Sequence, residues 1–266
     1  MPSRLRAAAV AGVVLLALPA CEEHTVAIRF DPGVGDRWRL QSTIDTEVVR
    51  TIADERSVER SSSRLEATES VVGVDGDEVA VEVAVARDGG AARSYEVRFD
   101  RTGRLSAIDL VEGLPADDLG LPLASDLPPD VISPPAGPLE PGERWTVDRR
   151  IRLEGREEPV RIRGTGRIDS LGVEDGREVA VAFVEVVVPV RSITETASGR
   201  VTLAGSQTIT ARTAYDLTDG TARRERTEIR GTTDVVIEPP SGVDAPPVPG
   251  SLRYDVRTES ERRPVG

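Results

Sequence analysis

The sequence predicts a mainly β protein: a strongly curved antiparallel sheet, a half-barrel or open barrel, built from two pseudo-repeats with little helix. Three observations predict it. Apolar and polar residues alternate with a period of two along most of the chain, as half-buried strands require. Asp75-Gly76, Asp175-Gly176 and Asp219-Gly220 fall between alternating runs and read as hairpin turns. Three short blocks recur in the same order in the two halves of the chain.

The first 20 residues read as an address. Arg4 and Arg6 form a basic start, and Ala7 to Leu18 form an apolar stretch. That stretch is too short to span a bilayer but suits the core of a signal peptide. Leu18-Pro19-Ala20-Cys21 resembles the lipobox of bacterial lipoproteins. In such signals the Cys is acylated and becomes the first mature residue. The expectation is a signal peptide at 1–20, a lipidated Cys21 and a tether at 21–27. Multiple acyl chains give stable anchoring where one is marginal.

Residues 28–113 form the expected first repeat. Trp38, Leu40, Ile44 and Val48 share one face, with Arg37, Arg39, Gln41, Asp45 and Glu47 on the other. Val79, Val81, Val83 and Val85 share a face of a later strand. Asp100-Arg101-Thr102-Gly103 reads as a fourth turn. A strand over 37–50 would run about 46 Å at 3.3 Å per residue. Strands of that length twist and coil, which favours a curved sheet over a flat sandwich.

Residues 114–138 hold seven prolines and several leucines. They cannot form a long helix. They are expected to cross an apolar surface of the sheet, with one helical turn at 115–120.

Residues 139–237 form the expected second repeat. Val160, Ile162 and Ile168 are in phase across Gly164 and Gly166, where a bend or bulge is expected. Val181 and Phe183 match Val81 and Val83 in the alignment of the two halves. Ile209, Ala211, Thr213, Tyr215 and Leu217 are in phase. A longer hairpin is expected around 191–208. A second Pro-rich loop and a last strand carrying Leu252, Tyr254 and Val256 occupy 238–266, and 28–266 is expected to be one structural domain.

The repeat rests on three matches. DPGVGDRWRL at 31–40 matches EPGERWTV at 140–147 and aligns Trp38 with Trp145. GVDGDEVAVEV at 73–83 matches GVEDGREVAVAFV at 172–184. YEVRFDRTGRL at 95–105 matches TAYDLTDGTAR at 213–223 and aligns Phe99 with Tyr215.

Composition narrows the chemistry. All 34 basic residues are Arg, against 46 acidic ones, for a net charge of -12. That balance argues against nucleic acid, whose binding rests on neutralising phosphates. The one Cys rules out a disulfide framework and a multi-thiolate metal site. The one His, His24, lies three residues from the proposed anchor. With Cys21 acylated, Ser-His-Asp and Cys-His arrangements are unavailable. The chain has no Lys and so no phosphate loop of the Lys-bearing kind. VDGDE at 74–78 lacks the length and later ligands of a calcium loop. No cofactor, metal or catalytic residue is expected. The Arg clusters at 149–150, 161–163 and 223–226 alternate with acids and read as a charge-paired β surface.

The order of lipobox, PG-x-GD-R-W motif, V-D-G-D block and D-x-T-G-R-L turn resembles a family of uncharacterised bacterial lipoproteins, a domain of unknown function. More distantly it is similar to half-barrel lipoprotein carriers and lipid-binding envelope lipoproteins. That resemblance implies an extracytoplasmic protein anchored through Cys21, on an inner or outer membrane left open. It also implies a concave β face that holds a lipid or other hydrophobic ligand.

Residues expected to face that ligand or pack the core are Trp38, Leu40, Ile44, Val79, Val81, Val83, Trp145, Val181, Phe183 and Tyr215. Three Phe, three Tyr and two Trp in 266 residues leave small aliphatics to line it. The alternative is a filled interior and a structural protein that contacts another envelope protein.

Overall fold

A computed structural model describes residues 25–116, 133–151, 159–196 and 199–265. Cys21, His24 and residues 117–132, which hold most of the expected helical turn, lie outside the described residues, and Pro115, expected to open that turn, lies in a short strand instead. The strands in chain order are β1 Val26–Ala27, β2 Arg37–Ile52, β3 Glu55–Asp75, β4 Glu78–Arg87, β5 Arg93–Asp100, β6 Leu105–Val111 and β7 Leu114–Pro115. The second half adds β8 Pro138–Leu139, β9 Arg144–Ile151, β10 Val160–Glu174, β11 Arg177–Thr196, β12 Gly199–Asp216, β13 Ala222–Glu238 and β14 Val248–Pro264. No α-helix occurs among the described residues.

Twelve strands form one antiparallel sheet in the order β7-β6-β5-β4-β3-β2-β14-β13-β12-β11-β10-β9. Each half is a meander. The first runs outward from β2, and the second runs inward to β14. The two meet where β14 pairs β2 from Gly250↔Ile52 to Pro264↔Trp38. The edge strands β7 and β9 do not pair with each other among the described residues, so the sheet is open.

Hairpin turns set this register. Asp175 and Gly176 both have positive φ (51° and 77°), as a two-residue type I′ turn requires. Gly103 sits at φ 76° in the Asp100–Gly103 turn. There Asp100 Oδ1 accepts hydrogen bonds from the Thr102 amide and hydroxyl (2.9 and 2.6 Å).

The strands outrun expectation. β3 has 21 residues, or about 70 Å at 3.3 Å per residue. The β11–β12 hairpin is the long one expected near 191–208; it pairs from Val179↔Asp216 to Thr196↔Gly199.

Curvature follows from who meets whom. Val81 on β4 and Tyr215 on β12 stand five strand spacings apart in the sheet, about 24 Å if it were flat. Yet both line one small pocket. The residues before β2 bridge the same gap. Phe30 N–H donates to the Arg101 carbonyl (2.9 Å) in the β5–β6 turn. Asp31 N–H donates to the Asp219 carbonyl (2.8 Å) in the β12–β13 turn. The sheet therefore curls at this end, called the head below, and the N-terminal segment ties its two halves together.

That segment alters one expected boundary. The tether was expected to run to residue 27, but Val26 and Ala27 pair with Leu139 and Pro138 in a small second sheet. Val26, Ile28, Phe30 and Pro32 are buried, while Ala27, Arg29 and Asp31 are exposed. This is the alternation of a strand with one face against a core.

The two halves open on similar turns. Gly35 has φ 94° and Gly142 φ 81°. Gly33 N–H donates to Asp36 Oδ2 (2.7 Å), and Glu140 N–H donates to Glu143 Oε2 (2.8 Å). Gly35 N–H reaches the Val71 carbonyl (2.9 Å), and Gly142 N–H the Ile168 carbonyl (2.8 Å). A register shift follows in each partner strand, at Val71/Gly73 and at Ile168/Ser170. The expected bulge at Gly164 and Gly166 is thus displaced to the residues just after them. The two glycines serve close approach instead. A Cβ on Gly166 would overlap the Trp145 ring, and one on Gly164 would overlap the Glu185 carbonyl.

Candidate functional site

Register assigns the faces, because directly opposed residues point to the same side of a sheet. Trp145, Gly166, Val184, Ala211, Thr227, Thr258, Ile44 and Ser63 are successive cross-strand partners over eight strands. This is the inner face. Trp38 and Leu40 share it with Ile44 on β2. Val79, Val81 and Val83 share it on β4, since Val83 opposes Glu69 and Glu69 opposes Trp38. Tyr215 shares it on β12, opposite Ala180.

Val181 and Phe183 depart from this set. They oppose Ala214 and Arg212 and lie on the outer face. The inward residues of β11 are Ala180, Ala182, Val184 and Val186. The reason is physical: β11 is apolar on both faces, so alternation alone does not choose its inward side. The N-terminal segment packs over it and selects the small alanines. Outside, the Arg167 guanidinium lies 4.5 Å from the Phe183 ring centroid, a cation–π contact.

Three apolar clusters fill the inner face. One joins Phe30 to Trp38, Val71, Val79, Val81 and Val97. A second joins Val26 and Ile28 to Leu139, Ile168, Ala180, Ala182 and Tyr215. The third packs Val160, Ile162, Val184 and Val186. The N-terminal residues thus belong to the cores of both halves, a role the sequence reading missed. The buried alternation from Val26 to Pro32 is the signal that could have shown it.

At the head this leaves a pocket of about 200 Å³ whose walls include Phe30, Trp38, Phe99 and Tyr215. Charged groups enter it. Arg262 Nε and Nη2 donate to the two oxygens of Glu69 (2.7 and 3.1 Å), and Nη1 donates to the Ala222 carbonyl (2.8 Å). Glu69 is 11% exposed and Arg262 20%, so this pair is largely desolvated.

At the rim, Asp216 accepts from Arg177 Nη1 (2.9 Å) and from the Thr218 amide (2.9 Å). Burial pushes the Asp216 carboxyl up. The hydrogen bonds from Thr218 and Arg177 outweigh it and hold the pKa below the ordinary Asp value. Asp100 has the same balance, with burial opposed by bonds from Thr102 and Arg104.

Away from the head, the inner face carries half-buried Val256, Ile229 and Ile209 in one cross-strand row with buried Val186. The outer face carries charge. Arg224 pairs with Glu174, Arg226 with Glu228 and Glu259, Arg161 with Asp148, and Arg223 with Asp175. The exposed pairs among these contribute little each, while the Arg223 side chain is largely buried. Together the pairs place Arg161, Arg223, Arg224 and Arg226 of the Arg clusters in ion pairs. A groove of about 690 Å³ on this face has Arg64, Arg212, Arg224 and Glu259 in its walls. Among the described residues no group of three or more His, Cys, Asp or Glu side chains is placed to hold a metal ion.

No protein-family model matches the chain, and no curated protein matches it at a significant level.

Proposed function

We propose that the chain is a lipid-anchored protein of the bacterial envelope that acts by binding and carries no catalytic site. In this reading Cys21 holds the acyl chains and the sheet stands on the extracytoplasmic side of its membrane. Its main partner is another envelope protein, met by the surfaces of the shell.

The filled head carries this choice of partner. Val26, Ile28 and Phe30 occupy the concave interior that a lipid carrier would keep open. The aromatic-walled space left there is about 200 Å³, below the ~300–1,000 Å³ usual for ligand pockets, and the neighbouring pocket of about 400 Å³ at the rim has charged walls that include Arg177, Asp216 and Arg262. A buried ion pair lies beside it, which an acyl chain could not compensate.

A second reading keeps a hydrophobic ligand but moves it. The aliphatic row Val256, Ile229, Ile209 and Val186, away from the head, favours it. The tandem duplication belongs to the proposal as well. The matched opening turns at Gly35 and Gly142 support it, as do the matched register shifts beyond them.

Native mass spectrometry of the full chain purified from a bacterial envelope tests the choice. The protein-partner reading expects the mass of the acylated polypeptide alone once detergent is removed. A stoichiometric co-purifying lipid would overturn it in favour of the carrier.

A further inference from the structure

The space left in the head is chemically distinctive. Phe30, Trp38, Phe99 and Tyr215 all line it. These are half of the chain's aromatic residues, brought together from the N-terminal segment, β2, β5 and β12. The pocket also holds Glu69, Glu225 and Arg262. Glu69 and Arg262 neutralise each other through two hydrogen bonds. Glu225 points to the same inner face, opposite Ser260 and Thr213. Its Oε1 accepts from the Thr227 hydroxyl (2.9 Å), and no Arg pairs with it among the ion pairs of the described residues. The pocket walls therefore hold two carboxylates against one guanidinium, an excess of one negative charge beside the rings.

We propose that this pocket binds a small methylated ammonium group of choline size. Aromatic faces attract a cation through the ring quadrupole, and Trp does so best. A quaternary ammonium has no N–H to satisfy, so an aromatic wall costs it no hydrogen bond. Glu225 supplies the counter-charge. The volume, too small for an acyl chain, suits a trimethylammonium head. A primary ammonium would leave donors unpaired against the rings, and an anion would meet Glu225. The group could arrive as a free solute or as a lipid headgroup, and the chemistry of recognition is the same. A free solute at this site leaves the protein-partner reading above untouched, whereas a lipid headgroup there bears on it.

Trp38 is its own reporter. In the full chain carrying Trp145→Phe, Trp38 fluorescence is titrated with choline, with tetramethylammonium and with 3,3-dimethyl-1-butanol, the neutral isostere of choline. Phosphatidylcholine and phosphatidylglycerol vesicles form a further arm. The expected result is a saturable response to the two cations and at least tenfold weaker binding of the neutral isostere. Glu225→Gln is expected to weaken the cations at least tenfold with an unchanged melting temperature. A response to choline and phosphatidylcholine vesicles together identifies a headgroup source; a response to choline alone identifies a solute. Calorimetry on the unmutated full chain repeats the choline titration without dependence on the Trp145 variant. No saturable binding of any methylammonium probe overturns the proposal. So does equal binding of the neutral isostere, or a Glu225→Gln variant that binds as before.

Discussion

The Tyr254 ring lies directly over Gly231, its cross-strand partner on β13, and reaches the next strand beyond. Its hydroxyl donates to Gln207 Oε1 on β12 at 2.6 Å. A glycine weakens a strand interior. Here its missing side chain makes room for an aromatic that ties three strands together. Trp145 over Gly166 repeats the device on β9 and β10. Gly231→Ala is expected to destabilise the protein by about 1–3 kcal/mol through overpacking. Urea denaturation measures it, and an unchanged midpoint would remove Tyr254 from the sheet's stabilisation.

The N-terminal segment is expected to be a structural part of the core. Phe30 is buried, and its ring meets Phe99 edge-on with centroids 5.7 Å apart. Phe30→Ala should cost about 3 kcal/mol. Arg29→Ala, at the exposed neighbour, should stay within ~0.5 kcal/mol. Equal effects at the two positions would mean the segment does not alternate as described.

The pair Glu69–Arg262 sits inside the head and should behave as a buried ion pair. Glu69→Ala strands the guanidinium and is expected to cost about 3–5 kcal/mol. Replacing both residues together, with Glu69→Leu and Arg262→Met, should recover most of that loss. A double-mutant cycle in urea reads the coupling, and additive losses would show that the two charges do not depend on each other.

Acid should loosen the head first. Asp216 and Asp100 both titrate below the ordinary Asp value, so the unfolded chain binds their protons more readily than the folded one. Their contribution to stability is complete above the unfolded Asp pKa of about 3.9 and is lost as pH falls through the folded values. Asp216→Asn should lower stability at neutral pH and flatten its decline between about pH 5 and 2. A decline as steep as in the unmutated protein would assign the acid sensitivity elsewhere.

Much of the sheet was legible in the sequence because one face of most strands is polar. Trp38, Leu40 and Ile44 on β2, and Val79, Val81 and Val83 on β4, read correctly as one face each. The D-G turns read correctly because each places its Gly at positive φ (53°, 77° and 68° at Gly76, Gly176 and Gly220), and Asp175 joins Gly176 there as a type I′ turn requires. The Ala53-Asp54 turn escaped notice because it has no Gly and Ala53 does not advertise the positive φ it adopts (48°). Val181 and Phe183 were placed on the wrong face because β11 is apolar on both. The small pocket in the head was not legible at all. It depends on Phe30, Trp38, Phe99 and Tyr215 meeting across six strand spacings, from β5 to β12, and only the curl of the sheet brings them together.

The central claim is that the chain fills its own concave interior at the head. Ring-proton NOEs test it most directly, and the three Phe of the sequence make assignment tractable. The account predicts an NOE between Phe30 and Phe99 that persists when phospholipid is added. Its absence, or its loss to new lipid–Phe99 NOEs on adding lipid, would contradict a filled head and restore the carrier.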